Sequence, residues 1–209
     1  MTEKIGIYGG TFSPPHLGHR LAAECFMREA TLDRLLVIPA CVPPHKANMS
    51  IVSPEQRLAM TTLAFADMDK AEVSALEINR TGKSYTYDTL TELSGENREL
   101  YFFCGTDMLL TFDRWYRFSD IFSLCTLAVG RREYDPSLGQ AFDERIAFFR
   151  REYGARIVEI PLEPIPISST DVRNAVRDGK TKEELSSMIA PAVADYIFTH
   201  GLYRNREEK

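Results

Sequence analysis

Short apolar runs alternate along the chain with segments in which apolar residues recur at helical spacing. Apolar runs bounded by turn residues predict buried strands. Six such runs lie at residues 4–8, 35–38, 71–76, 100–104, 124–129 and 157–160. Helical spacing and start signals predict helices, at 17–30, from Ser53, at 86–93, from Asp135, and at 169–178, 181–189 and 191–200. Strands and helices therefore alternate through most of the sequence.

Two predicted helices carry specific signals. Ser53-Pro54-Glu55-Gln56 combines a capping serine, a proline at the first helical position and a glutamine that can complete a capping box. After Asp135-Pro136, apolar residues recur at gaps of four, four, three and four, at Leu138, Phe142, Ile146, Phe149 and Tyr153. Each pattern predicts a helix with one buried face.

The alternation of strands and helices indicates an α/β fold. Right-handed crossover helices connect parallel strands and cover both faces of the sheet. Because no internal repeat or linker interrupts residues 1–209, the pattern predicts one domain, whose C-terminal part is helical from about residue 168. Ligands of such sheets bind at the carboxyl ends of the strands, where the strand order reverses. We therefore expect the functional residues just after strands.

Composition and charge exclude several functional classes. Of the 209 residues, 44% are hydrophobic and 26% are charged. No apolar run approaches the roughly 20 residues that cross a bilayer, and the N-terminus lacks a signal-peptide pattern, so we expect a cytoplasmic protein without a membrane partner. A net charge of −5 disfavours a nucleic-acid partner. Four scattered cysteines without a CxxC pair indicate buried thiols, at Cys25, Cys41, Cys104 and Cys125.

The segment Gly9–His19 follows the first strand and leads into a predicted helix. Glycines at positions 9 and 10 let the backbone approach a ligand without side-chain clash, and a helix N-terminus favours phosphate through its N–H groups and dipole. His16 and His19 are three residues apart, so they share a face on the first helical turn. Gly18 between them leaves room for a base or ribose. The pattern predicts a phosphate site.

Other interpretations of these histidines are weaker. Three of the four histidines, His16, His19 and His45, lie in the first 45 residues beside prolines and glycines, which favours a site over isolated surface positions. A zinc site completed by His45 or Cys41 lacks the acidic or second-cysteine partner usual for zinc, so we predict no protein-bound metal. No Gly-Lys-Ser/Thr or GxGxxG sequence follows the first strand, which argues against kinases and dehydrogenases.

A second predicted anion site follows the last strand. The sequence Ile167-Ser168-Ser169-Thr170-Asp171-Val172-Arg173 places three hydroxyl residues at a helix start, with an arginine about one turn later. Hydroxyls and free backbone N–H groups can donate to phosphate, and a guanidinium can bind it bidentately. Helix capping alone would also explain this segment. Together with Gly9–His19, it predicts two helix starts that converge on one triphosphate.

Both segments resemble known motifs. Gly9–His19 resembles the signature of the HxGH nucleotidyltransferases, which implies a Rossmann-like sheet related to that of class I aminoacyl-tRNA synthetases. The chain further resembles the bacterial nicotinate mononucleotide adenylyltransferases, whose Ile-Ser-Ser-Thr-x-x-Arg segment is matched by Ile167–Arg173. Similarity continues to Leu202-Tyr203. Ser13 departs from the pattern, since most members have an acidic or amide residue there.

The resemblance implies a role for individual residues. It implies that the catalytic residues are His16, His19 and Arg173. It implies that ATP is bound by Gly9, Gly10, Thr11, Phe12, Gly18, Gly105, Asp107, Ile167, Ser168, Ser169 and Thr170. It implies that the mononucleotide is bound by His45, Lys46, Ser84, Thr86, Trp115, Tyr116 and Arg131.

Several of these roles have structural alternatives. Ser84, Thr86 and Asp107 could be helix caps, and Trp115 could be a core residue. Relatives usually have Arg-Pro-Gly-Tyr where this chain has Arg131-Arg132-Glu133-Tyr134. The altered sequence leaves open which of the two arginines faces a ligand.

The resemblance implies adenylyl transfer from ATP to nicotinate mononucleotide, which yields nicotinate adenine dinucleotide and pyrophosphate in NAD biosynthesis. Mg²⁺ held mainly by the ATP phosphates is the implied cofactor. Transfer to nicotinamide mononucleotide or phosphopantetheine, cytidylyl transfer from CTP, and a non-catalytic nucleotide sensor stay open as alternatives. The sequence also leaves open the preference between acid and amide pyridine rings, the kinetic order, and assembly into a homo-oligomer.

Overall fold

A computed structural model of the chain describes residues 2–41, 52–80, 83–131, 136–163 and 166–204, without the side chains of 136 and 137. Its strands are β1 (Glu3–Gly10), β2 (Arg34–Pro39), β3 (Ala71–Val73), β4 (Arg98–Gly105), β5 (Cys125–Arg131) and β6 (Ile157–Pro161). Its α-helices are α1 (Leu17–Glu29), α2 (Pro54–Phe65), α3 (Thr86–Leu93), α4 (Thr106–Leu110), α5 (Phe118–Leu124), α6 (Pro136–Tyr153), α7 (Ser169–Arg177) and α8 (Pro191–Thr199). A short 3-10 helix covers Phe112–Arg114.

The strands form one sheet in the order β3-β2-β1-β4-β5-β6. Parallel pairing joins β1 to β4, β4 to β5 and β5 to β6, and Leu100 of β4 lies opposite Ile5 on one side and Cys125 on the other. The strand order reverses between β1 and β4, where ligands of open α/β sheets bind. The predicted Rossmann-like α/β fold is confirmed.

Most predicted elements are present. Ser53 caps α2 through a capping box with Gln56, because its hydroxyl accepts from the Gln56 N–H while the glutamine side chain accepts from the Ser53 N–H. α3 has the predicted bounds. In α6, three of the five periodic residues are buried as predicted, Phe142, Ile146 and Phe149, whereas Leu138 and Tyr153 near the helix ends are exposed. The capping box and the central periodic residues are predictable because they depend only on residues close in sequence.

Three predictions were wrong in detail. Residues 181–189 form successive hydrogen-bonded turns instead of a regular helix, with bonds such as Ser186 N–H to Glu183 O that span only three residues. The predicted strand at 71–76 ends at Val73, and Leu124 ends α5 instead of starting β5. The short helices α4 and α5 were missed, since one or two turns show too little periodicity to detect.

The chain divides into two compact units. The first comprises Met1–Gly9, Ala22–Leu36 and Ser84–Pro164, and the second comprises Gly10–Leu21, Val37–Lys83 and Ile165–Lys209. Phe112, Phe122 and Phe149 pack together in the first unit, whereas α2 packs on α8 in the second. One domain over 1–209 stays a prediction.

Three of the four cysteines are buried in the structure. The thiols at 25, 104 and 125 are buried as predicted, whereas Cys41, which follows β2, is only half-buried, so the prediction is wrong at that position. Burial raises the pKa of Cys104 and raises that of Cys125 to about 12, which makes both thiols unreactive. Among the described helices, none combines the length and apolar character required to traverse a bilayer.

Candidate active site

The two histidines of the Gly9–His19 segment lie against each other at the start of α1. His16 directly precedes the helix, and its carbonyl accepts from the His19 N–H at 2.9 Å. The centroids of the two imidazole rings are 3.6 Å apart, and the ring planes are tilted by 38°. His16 is only 8% exposed, whereas His19 is half-buried. The predicted sharing of one helical face is confirmed.

A backbone bond fixes which nitrogen of His19 can donate. The His16 backbone N–H donates to His19 Nδ1 at 3.1 Å. Because Nδ1 is an acceptor in this bond, it carries no proton, and the proton of the neutral ring is on Nε2. The fold thus prepares His19 Nε2–H as a donor, which suits recognition of a phosphate oxygen.

Close packing explains two of the glycines. A Cβ at Gly18 would lie 3.1 Å from the His16 ring, and a Cβ at Gly10 would lie 2.8 Å from the Phe12 ring. Phe12 has a positive φ of 47° and is 1% exposed, and its ring packs edge-on against His19 at 5.1 Å. We predicted that Gly10 and Gly18 leave space for a ligand. In the structure, the rings of Phe12 and His16 fill that space.

The second segment begins α7 with a capping box. The Ser168 hydroxyl accepts from the Asp171 N–H, while the Asp171 carboxylate accepts from the Ser168 hydroxyl at 2.6 Å and from its N–H at 2.8 Å. These bonds, with a smaller contribution from His16, hold the pKa of Asp171 below its ordinary value. Helix capping is thus one function of this segment.

The two helix starts meet within the second unit. The Ser169 hydroxyl donates to the Pro14 carbonyl at 2.8 Å, and Arg173 Nη1 donates to the Ser13 carbonyl at 2.8 Å. A Cβ at Gly18 would also lie 3.8 Å from the Ile167 carbonyl oxygen. The predicted convergence of the two segments is confirmed.

Not every hydroxyl of the second segment is turned toward a ligand. The Ser168 and Ser169 hydroxyls donate to Asp171 and Pro14. Thr170 is exposed, and its hydroxyl accepts from Arg173 Nη2 at 2.9 Å, so its own proton can be donated elsewhere. Arg173 binds protein oxygens through both Nη atoms, which fixes the loop as well as the cation.

Sequence reasoning missed two residues that hold the same loop. Arg57 of α2 is 1% exposed and donates to the Thr11 carbonyl at 3.0 Å and to the Cys41 carbonyl at 2.7 Å. The Tyr203 hydroxyl lies 3.1 Å from the Ser13 hydroxyl. The sequence held one signal for Arg57, because it lies on the same face of α2 as Met60, which is buried. A charged residue on a buried face needs hydrogen-bond partners, which indicates a specific role.

The first unit contains the carboxyl ends of the strands at which the order reverses. Gly105 ends β4 and is the N-cap residue of α4, and a Cβ there would meet no atom within 4 Å. Asp107 is exposed in the first turn of α4, so it is not the cap. Gly9 lies near the end of β1, where a Cβ would make only an ordinary contact with Phe102. Open space at Gly105 suits ligand approach.

The predicted acceptor residues of the first unit include a group of aromatic rings. Trp115 is half-buried and stacks on Phe112 with centroids 4.9 Å apart. Tyr116 is 51% exposed, and its ring makes a tilted contact with the ring of Tyr85, with centroids 4.6 Å apart. Tyr87 meets Tyr116 edge-on at 6.2 Å. One face of the tryptophan is therefore used by the core, while Tyr116 presents an exposed ring.

Neither Ser84 nor Thr86 caps the next helix. The N-cap residue of α3 is Tyr85, whose side chain makes no capping bond. Ser84 is buried and Thr86 is half-buried in the first turn. The capping alternative for these two residues is wrong, and their binding roles stay predictions.

The last predicted acceptor residues are basic. Arg131 Nη1 binds the carboxylates of Asp143 at 2.9 Å and Glu159 at 3.3 Å, so its charge is compensated within the first unit. His45 and Lys46 lie outside the described residues, as does Arg132. Over the described residues, no group of three or more His, Cys, Asp or Glu side chains could hold a metal ion.

Comparisons with known proteins show which family the chain resembles. The model of the cytidylyltransferase-like family matches residues 7–175. A probable nicotinate-nucleotide adenylyltransferase of Thermoanaerobacter sp. is 34% identical over 98% of this chain and 96% of its own length. One from Desulfitobacterium hafniense is 37% identical over 97% of this chain and 96% of its own length.

Solved structures share the fold. The Plasmodium falciparum nicotinic acid mononucleotide adenylyltransferase complexed with NaAD has a TM-score of 0.73 at 20% identity, covering 96% of this chain and 97% of that one. A putative nicotinate-nucleotide adenylyltransferase from Vibrio parahaemolyticus has a TM-score of 0.67 at 22% identity, covering 99% of this chain and 97% of that one. The family match and the full-length relatives show that the chain belongs to the cytidylyltransferase-like family and, within it, to the nicotinate-nucleotide adenylyltransferases.

Proposed function

We propose that this protein transfers the AMP part of ATP to nicotinate mononucleotide and releases pyrophosphate. The observation that carries the proposal is the convergence of the two helix starts, joined by the bonds of Ser169 to Pro14 and of Arg173 to Ser13. Helix N-termini, an imidazole donor and a guanidinium together form a strong site for a polyphosphate. The names of the full-length relatives support the same reaction and substrate pair.

The proposed reaction is a direct in-line displacement at the α-phosphorus of ATP. A phosphate oxygen of the mononucleotide forms the new bond to the α-phosphorus as the bond to the bridging oxygen of the β-phosphate breaks, and pyrophosphate leaves with that electron pair. The attacking phosphate is already ionised at neutral pH, so no general base is required. Catalysis then depends on positioning and on charge stabilisation.

The second unit supplies the groups for these tasks. His19 donates through Nε2–H to a phosphate oxygen, and His16 supports the orientation of that ring through its own ring contact and its backbone N–H. Thr170 and Arg173 lie at the start of α7 and complete the anion site. Donors held before the reaction need no reorganisation as charge develops.

Mg²⁺ is part of the proposal as an ion carried by ATP. Within the described part of the chain, the only carboxylate at the α7 start is that of Asp171, which binds Ser168. This donor set fits an ion held by substrate phosphates and water, since Mg²⁺ dehydrates reluctantly. When bound, the ion neutralises phosphate charge.

The acceptor side of the proposal rests mainly on the family. Tyr116 offers an exposed aromatic surface, which suits stacking with a pyridine ring. Trp115, Ser84, Thr86 and Arg131 are proposed on resemblance, together with His45 and Lys46. A cytoplasmic location, the absence of nucleic-acid and membrane partners, and the oligomeric state also stay predictions.

One assay with matched substrates tests the proposal. The protein is incubated with ATP and Mg²⁺ and, in separate reactions, with nicotinate mononucleotide, nicotinamide mononucleotide or phosphopantetheine, and the pyrophosphate released is measured. CTP replaces ATP in a parallel series. We expect the fastest release with ATP and nicotinate mononucleotide. Faster release with another pair would change the substrate assignment, and ATP binding without any release would indicate a nucleotide sensor.

A further inference from the structure

Arg57 is a buried cation that binds two backbone carbonyls. Its side chain is 1% exposed, although it lies on the face of α2 that also carries Met60 and Ala64. Nη1 donates to Thr11 O at 3.0 Å and Nη2 donates to Cys41 O at 2.7 Å. Nε is buried without a hydrogen-bond partner among the described residues. Burying a charge in this way is costly.

The bond to Thr11 fixes the plane of one peptide of the glycine loop. In a trans peptide the C=O and the following N–H point in opposite directions. Holding Thr11 O on Arg57 therefore directs the N–H of Phe12 away from the guanidinium. Phe12 has φ of 47°, a left-handed conformation that is unfavourable for a residue with a Cβ. Such a conformation persists only where surrounding contacts hold it.

This peptide is linked to the histidine proposed to bind phosphate. The Phe12 ring is buried, and it packs edge-on against His19 at 5.1 Å and against Phe65 of α2 at 6.2 Å. A change in the Thr11–Phe12 peptide would therefore move the ring on which His19 rests. Arg57 acts on His19 through Phe12, since its own hydrogen bonds go to backbone carbonyls.

The second bond of Arg57 anchors another segment. Cys41 follows β2 and directly precedes the residues that lead to His45 and Lys46 in the sequence. The planar guanidinium can hold two carbonyls at once in a fixed geometry, which the single ammonium of lysine cannot reproduce. Both acceptors are uncharged carbonyls, and burial lowers the pKa of Arg57. The residue is thus held by geometry more than by ion pairing.

We propose that Arg57 is a positioning residue of the adenylyl transfer, which orients the Thr11–Phe12 peptide and thereby the His19 ring, and which fixes the chain at Cys41. This inference rests on the proposed function. A purely structural role would predict loss of stability without a specific loss of turnover. Positioning errors of about 1 Å can reduce turnover roughly 100-fold.

Arg145 provides a matched control in the first unit. It also has a buried Nε without a hydrogen-bond partner among the described residues, its Nη2 binds Asp113 at 2.5 Å, and its guanidinium lies 4.6 Å from the Phe149 ring centroid. We would compare Arg57→Lys and Arg57→Met with Arg145→Lys and Arg145→Met. The measurements are the thermal midpoint, kcat, and KM for ATP and for nicotinate mononucleotide, at a temperature where each variant is folded.

The two roles predict different results. A positioning role predicts that the thermal midpoint falls by a similar amount in the two methionine variants. It also predicts that kcat falls about 100-fold in Arg57→Met and about 10-fold in Arg57→Lys. In the Arg145 variants kcat should be nearly unchanged. Equal kcat values across the two series would overturn the inference and leave the proposed function intact. Failure of both Arg57 variants to fold would overturn it too, since the residue would then be a folding determinant. A wild-type protein without turnover would instead overturn the proposed function.

Discussion

The candidate phosphate-binding residues of the second unit (the phosphate part) and the candidate ring-binding residues of the first unit (the ring part) are held by different kinds of contact. In the second unit, the carbonyls of Thr11, Ser13 and Pro14 each accept a hydrogen bond from a side chain of α2 or α7. In the first unit, Tyr116 is half exposed and is in contact with the rings of Tyr85 and Tyr87. Directional hydrogen bonds therefore hold the phosphate part, and packing of aromatic rings holds the ring part.

The difference follows from what each part is proposed to bind. Charge that develops on phosphate oxygens is stabilised only by donors already in place, so small displacements are costly. A planar ring is held by contact area, and neighbouring rings can adjust to it. Substitutions in the phosphate part should therefore lower kcat, whereas substitutions in the ring part should raise the acceptor KM.

The largest effect is expected from His16→Ala. Loss of the His16 ring removes the ring contact that orients His19, and we expect kcat to fall roughly 100- to 1,000-fold with a much smaller change in ATP affinity. Steady-state kinetics measure kcat, and equilibrium binding of ATP measures the affinity. His200→Ala is the control, because His200 is exposed and stacks on Tyr196 in α8. Equal losses of turnover and affinity would contradict a role in the transition state.

A smaller effect is expected from Gly18→Ala. The new methyl group would lie 3.1 Å from the buried His16 ring, whose retreat is limited by the His19 ring. We expect kcat to fall about 10- to 100-fold while the fold is retained, as judged by circular dichroism. Gly95→Ala is the matched control, since its Cβ would meet Arg98 at an ordinary 3.8 Å. Unchanged kcat in the Gly18 variant would mean that the ring position is not critical.

Tyr116→Ala tests the ring part. Removing an exposed ring should raise KM for nicotinate mononucleotide about 10-fold, because stacking contributes on the order of 1 kcal/mol beyond the buried area, and should leave the ATP affinity unchanged. Tyr116→Phe keeps the ring and should behave like the wild type. A loss of kcat without a change in acceptor KM would contradict the expectation that the ring part controls acceptor binding and the phosphate part controls turnover.

The smallest effect is expected from Tyr203→Phe, and it concerns stability at alkaline pH. Burial raises the pKa of Tyr203 to about 12 from its ordinary 10, although the Ser13 hydroxyl and the Arg173 and Arg57 cations act to lower it. The folded state therefore keeps this proton more tightly than the unfolded state. The stabilisation is complete below pH 10 and is lost as the pH rises through about 12.

The variant lacks this ionisable hydroxyl, so its thermal midpoint should fall less steeply between pH 10 and pH 12 than that of the wild type. Tyr153→Phe, at a tyrosine that is 39% exposed, serves as the control. Parallel curves for the Tyr203 variant and the wild type would rule out the effect.

Local signals predicted much of this fold. The Ser53 capping box and the strand–glycine–helix order of Gly9–His19 depend on residues within a few positions of each other, and both appear as expected. The segment 181–189 shows the limit of such signals. Thr181 and Glu184 do form reciprocal capping bonds, yet the chain continues as turns, and the Met188 carbonyl accepts from the Leu17 N–H. A distant contact decided the conformation there.

The sequence by itself determined the α/β architecture, the paired histidines and the hydroxyl-rich helix start, because each is a pattern of neighbouring residues. Only the tertiary structure decided how Arg57 is used and why Phe12 has a positive φ. The bonds from Arg57 to Thr11 and from Arg173 to Ser13 join residues 46 and 160 positions apart. Such contacts form only when the chain has folded, since no local propensity encodes their distance or direction.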